Sequence, residues 1–140
     1  MNKLFTKITA TVLVSMLGVM NVSAAALSGM SDTLSSAKVG TASNHSFVFT
    51  TPTGIAAGST TLITFPTDFV IPVGLSYTDV DINIGGAYVG SSTLGSVPSG
   101  ATVGVARIST TTLLITNGTT PISAGAAVYI RIGTNAINQT

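Results

Sequence analysis

Few residues in this chain can do chemistry. His45 is the single histidine, the acids are Asp32, Asp68, Asp79 and Asp81, and there is no glutamate or cysteine. Catalysis by His45 needs a nucleophile and an orienting acid beside it, and no sequence motif supplies them. Flanked by Asn44 and Ser46 at the start of an alternating run, His45 is expected to hydrogen-bond a loop. Asp79, Asp81 and Asn83 form a different constellation. Their oxygens at every second position are a candidate calcium site, which Asp68 can join from a neighbouring loop. The spacing imitates the start of an EF-hand loop but departs from it, because the glycine falls one place late at Gly85 and no glutamate follows. The plain alternative is a solvated strand face. The aspartates are too scattered for a glycosidase pair, and no glycine run opens a helix to cradle phosphate. No catalytic residue and no cofactor other than that calcium is expected.

The elements that must position these residues are strands. FVFT at 47–50 and TLITF at 61–65 alternate apolar and small polar residues, and the Pro/Gly/Ala connection 52–59 joins them. DVDINI at 79–84 alternates strictly, with Val80, Ile82 and Ile84 inward and the polar three outward, and Gly85-Gly86 ends it. Residues 87–100 read as a long loop around a short strand at 88–89. Residues 103–108 and 113–116 form the next strand pair. Asn117-Gly118 turns the chain, and AVYIRI at 127–132 is the last strand. Between strands, Pro66 and Pro72 confine their segment to an edge or crossover, where Phe69 and Ile71 are expected to plug the core.

One echo is internal. TPTGIAAG at 51–58 resembles TPISAG at 120–125, each a strand running into Thr-Pro, an isoleucine, then Ala-Gly. Proline stops the ladder and glycine supplies the dihedral that restarts it, so the two segments are expected to be equivalent corners of one sandwich. No sustained 3.6-residue period occurs after the N-terminal segment. The prediction is an all-β, immunoglobulin-like Greek-key sandwich of about six to eight strands. The cysteine–tryptophan–cysteine signature of true immunoglobulin domains is absent.

The N-terminus reads as an export leader. Lys3 and Lys7 precede the apolar run ITATVLVSMLGVM at 8–20, and small residues at 23–26 suit cleavage after Ala24 or Ala26. The chain therefore divides into a signal-peptide helix at 1–26, an arm or edge strand at 27–43, and a sandwich at 44–140 that can lack its last strand. The edge strand is expected around 33–37. Membrane contact is expected only through the leader, were it left uncleaved. Removing it leaves about 115 residues, enough for one domain burying about two-thirds of its unfolded surface.

Charge excludes some partners. Charged residues make up 6% of the chain, with threonine, serine, glycine and alanine solvating the surface instead. Beyond the leader, Lys38, Arg107 and Arg131 nearly balance the four aspartates, leaving no basic stripe for nucleic acid. Low charge also removes the repulsion that keeps copies apart.

The segments DTL at 32–34, NHSFVFT at 44–50, AGSTTLITFP at 57–66, DVD at 79–81 and RIGTNA at 131–136 together span most of the chain after the leader. In these segments the chain resembles uncharacterised exported proteins of small uncultured bacteria. That resemblance implies a cell-surface β-sandwich module, often repeated in longer chains, and carries over no catalytic residues. In such relatives the stretch like 133–136 is followed by more strand.

These readings converge on a secreted or cell-surface structural or adhesion module, not an enzyme. It is expected to act through self-association or packing against other surface proteins, by strand edge or face. The second reading is an extracellular module binding glycans or calcium through the 85–100 loops and the Asp79/Asp81 face.

Overall fold

The structure is a computed structural model in which residues 26–89, 94–133 and 136 are described. The expected leader at residues 1–25, the 134–135 part of the RIGTNA segment and residues 90–93 lie outside the described residues. Among the described residues, no helix is long and apolar enough to cross a membrane.

Among the described residues, nine strands form two sheets. In chain order they are β1 (Ser28–Leu34), β2 (His45–Thr51), β3 (Thr60–Thr64), β4 (Val80–Ile84), β5 (Ala87–Tyr88), β6 (Leu94–Gly95), β7 (Val103–Arg107), β8 (Thr112–Thr116) and β9 (Ala126–Ile132). One sheet has the order β1-β2-β9-β4-β5 and the other β3-β8-β7-β6. The pairings are antiparallel except β6 with β7, which is parallel. The molecule is thus nearly all β, with sandwich-like architecture and one 3₁₀ turn, Tyr77–Asp79, leading into β4.

Register explains the core. Across the first sheet His45, Ile132 and Val80 share a row, then Phe47, Ile130 and Ile82, then Phe49, Val128 and Ile84. Across the second, Ile63 pairs with Leu113, and Ile115 pairs with both Thr61 and Val105. Because side chains alternate faces, each row turns its apolar members towards the other sheet. Phe49, Ile82, Val105, Leu113, Ile115 and Val128 pack there as one buried cluster. The β4–β5 hairpin turns on Gly85 and Gly86, both at positive φ (60° and 92°), as a two-residue primed turn requires.

Several expectations need correction. The first strand runs Ser28–Leu34 and not 33–37. It stops at Leu34 because the serine hydroxyls that follow capture backbone groups: Ser35 Oγ accepts from Asn44 N–H at 2.8 Å, and Ser43 Oγ from Ser36 N–H at 3.2 Å. Residues 35–44 consequently arch back instead of continuing the sheet. Ile71 is buried as expected, whereas Phe69 remains 37% exposed. Asn117-Gly118 leads the chain from β8 to the other sheet, and Asn117 N–H donates to Ser59 O at 2.9 Å. Asp81 and Asn83 lie on the alternate side of β4 from Val80 and Ile82, as predicted, yet Asp81 is only 1% exposed. That side of the strand is covered, and it is not the solvated face expected.

Candidate functional site

The two ends of the sandwich differ. At one end, where β2 finishes and β9 begins, Ile55 and Ile122 pair across the two Thr-Pro corners and join the core. Residual space beneath them amounts to about 10 Å³, no more than one water needs. At the opposite end, where β2 begins and β9 finishes, a cavity of about 790 Å³ opens. This lies within the range of small-molecule sites.

Two loops border the cavity. The first is the 35–44 arch between β1 and β2, held by its serine bonds and by Ser35 N–H donating to Asn44 O at 3.0 Å. The second is the 65–76 crossover leaving β3. Its prolines remove ladder donors, so the second sheet holds it by other means. Phe65 N–H donates to Thr111 O at 2.8 Å, Ile71 N–H donates to Thr110 O at 2.7 Å, and the Arg107 guanidinium Nε donates to Ile71 O at 3.0 Å. Leu113, Ile132 and Phe65 are buried and line the cavity from the core side.

His45 belongs to this wall. Its Nδ1 lies 2.8 Å from Asp32 Oδ2, the N–H donating to the carboxylate. Its ring stacks on Phe47 at 5.8 Å and meets Phe65 (4.7 Å) and Phe69 (5.7 Å) edge-on. An acid on the edge strand is thus a partner of His45 not expected from the sequence. Leu34 stands directly opposite His45 in the β1–β2 register, and Asp32 is two residues before it, on the same face. The sequence holds the signal for this pair only once that register is known. An acid does orient the imidazole, and the arrangement ties β1 to β2 through a charge-assisted bond.

The calcium candidates are placed apart from this cavity's floor. Asp79 borders the cavity, but its Oδ2 accepts from Ser76 N–H at 2.9 Å in a capping box. Asn83 Oδ1 accepts from Gly86 N–H at 3.1 Å and braces the hairpin. Asp81 stands opposite Arg131 in the β4–β9 register. Asp68 lies on the 65–76 crossover at the cavity. Among the described residues, no group of three or more histidine, cysteine, aspartate or glutamate side chains is gathered as for a metal ion.

Chemically, this end offers an apolar recess, aromatic rings and an imidazole tied to a carboxylate. Such a site can hold a molecule by shape and burial. No protein-family profile, no curated protein and no solved structure matches this chain.

Proposed function

We propose that this protein is a non-enzymatic structural or adhesion module of the secreted or cell-surface class, working by self-association through a sheet edge. The observation that carries this reading is the position of β1. Among the described residues it ends its sheet, pairs with β2 on one side, and exposes Ser28 to Thr33. An uncovered edge presents a row of backbone donors and acceptors to another strand. Proteins that avoid such pairing blunt their edges with charged residues, proline, β-bulges or a covering element. Here β1 carries a single charge, Asp32, and no proline, and its one irregularity lies between Ser28 and Ser31. The low overall charge favours the same outcome.

The finer fold assignment belongs to the same reading. Strands β2, β3 and β4 alternate between sheets, and the β3–β8 pair nests inside the β2–β9 pair. This nesting supports an immunoglobulin-like Greek-key topology. Export through the N-terminal leader supplies the location.

Sedimentation velocity of the purified chain at rising concentration tests the function. Oligomers or filaments are expected to grow with concentration, and Met30→Lys together with Thr33→Lys should return the chain to monomer. A wild-type monomer at every concentration would refute the reading.

A further inference from the structure

We infer that the cavity between the 35–44 arch and the 65–76 crossover is a binding site for an uncharged single-chain amphiphile, whose alkyl chain enters and whose head stays at the mouth. The inference is independent of self-association, because only the last residue of β1, Leu34, lines the cavity, and the exposed stretch Ser28 to Thr33 does not. Three observations carry it.

The volume is the first. About 790 Å³ of space opens at one end of the domain, whereas the recess beneath Ile55 and Ile122 at the other end holds about 10 Å³. The space opens to solvent between the two loops, and a recess of this size with a largely apolar wall suits an apolar guest.

The second is the disposition of polar groups around it. Ser43 Oγ is engaged by Ser36 N–H and Asn44 O, and Ser36 Oγ by Lys38 N–H. The His45 imidazole bonds Asp32, and the Asp79 carboxylate bonds Ser76. These groups already have partners within the chain, so they make no demand for a charged or hydrogen-bonding ligand. Selection falls to the apolar wall, where Phe65, Ile71, Leu113 and Ile132 form the core side and the exposed Phe69, Val70 and Val39 hold the area that a guest would take from water. Lys38, Asp68 and Asp79 border the opening with both signs of charge, so no cluster of one sign is gathered there for an ionic head.

Third, the loops around the mouth expose apolar side chains. Val39 at the arch is 97% exposed, and Val70 and Phe69 on the crossover are exposed too. Both loops carry them towards one opening, where the first methylenes below a polar head would cover them.

The test titrates 1-monolauroylglycerol, below its micellar concentration, into the purified chain by calorimetry. Saturable one-to-one binding is expected. Phe69→Asp places a charge beside the alkyl chain and should weaken binding by about tenfold or more. Val39→Asp, at a position too exposed to disturb folding, should weaken it in the same direction. Leu62→Asp removes an exposed apolar side chain from β3, away from the cavity, and should leave binding unchanged. The Met30→Lys and Thr33→Lys pair should abolish self-association while binding persists. Absence of saturable binding overturns the inference. So does equal loss in Leu62→Asp, which would mean diffuse surface adsorption. Pelleting with phosphatidylcholine vesicles without uptake of the free amphiphile would assign the apolar rim to a membrane surface, and equally overturn it.

Discussion

Ile55 and Ile122 exchange two backbone hydrogen bonds, Ile55 N–H to Ile122 O at 2.9 Å and Ile122 N–H to Ile55 O at 2.8 Å. This reciprocal pair joins the corner after β2 to the corner before β9 and seals one end of the sandwich. The resemblance between the two Thr-Pro segments thus has a physical meaning, since each corner is the other's partner. Pro52 ends the β2 ladder, Pro121 stands before β9, and the isoleucines form one rung between the two corners.

Closure at this corner depends on Gly54. Its φ is +76°, and a Cβ there would lie 2.5 Å from Ile122 O and 2.9 Å from Ala124 N. Backbone atoms cannot swing aside as a flexible side chain does. Gly54→Ala should therefore destabilise by about 2–4 kcal/mol, combining left-handed strain with overpacking. Gly58 shares the positive φ (+72°) but has nothing near its Cβ position, so Gly58→Ala should lose only about 1–2 kcal/mol. Urea denaturation midpoints of the two variants measure the difference.

The core rows make a second contrast. Leu113 is 1% exposed and belongs to both the buried cluster and the cavity wall, whereas Leu62, one residue from Ile63 on the partner strand, is 59% exposed. Leu113→Ala should destabilise by about 2–5 kcal/mol through lost burial and the space left behind. Leu62→Ala should stay within about 0.5 kcal/mol. Thermal unfolding followed by circular dichroism separates them.

Strand alternation was readable in the sequence because core strands alternate apolar residues with polar or small ones, as Val80, Ile82 and Ile84 do with Asp81 and Asn83. The corners were readable because proline, isoleucine and glycine each have a narrow use. The start of β1 was not, since SGMSDTL has no apolar alternation and is exposed on both faces. Only pairing with β2 defines it. The same gap hid the acid beside His45, because Asp32 reaches the imidazole through a register that no local pattern encodes. The cavity was equally invisible. It arises from two loops that fail to fill an end of the sandwich, a property of their paths and not of any motif.

The bond between Asp32 and His45 gives a third prediction. His45 is nearly buried among aromatic rings, while Asp32 is partly exposed on β1. Asp32→Ala removes the charge-assisted acceptor and should cost about 1–2 kcal/mol. Asp32→Asn keeps an oxygen at the same reach, and its loss should stay below about 1 kcal/mol. Hydrogen exchange of the β1 amides, read with the denaturation midpoints, should show β1 loosening first in the alanine variant. Unchanged exchange would mean that the backbone ladder alone holds the edge.

The Asp79, Asp81 and Asn83 triplet supplies the last prediction. A calcium ion would need oxygens converging from several directions. Asp79 instead closes the capping box of the turn before β4, and Asn83 braces the hairpin after it. Recruiting either oxygen would leave a backbone N–H without its acceptor, Ser76 in one case and Gly86 in the other. The stated geometry therefore favours local structural work by these side chains over metal binding. Millimolar calcium should leave the melting temperature unchanged, because ligand stabilisation follows RT ln(1 + [L]/Kd) and needs a site of adequate affinity. Asn83→Ala should lower stability by about 1 kcal/mol, equally with calcium and with chelator, as expected for one lost hydrogen bond. A rise in melting temperature with calcium that Asn83→Ala abolishes would instead place the ion on this strand, with the capping bonds exchanged for metal ligation.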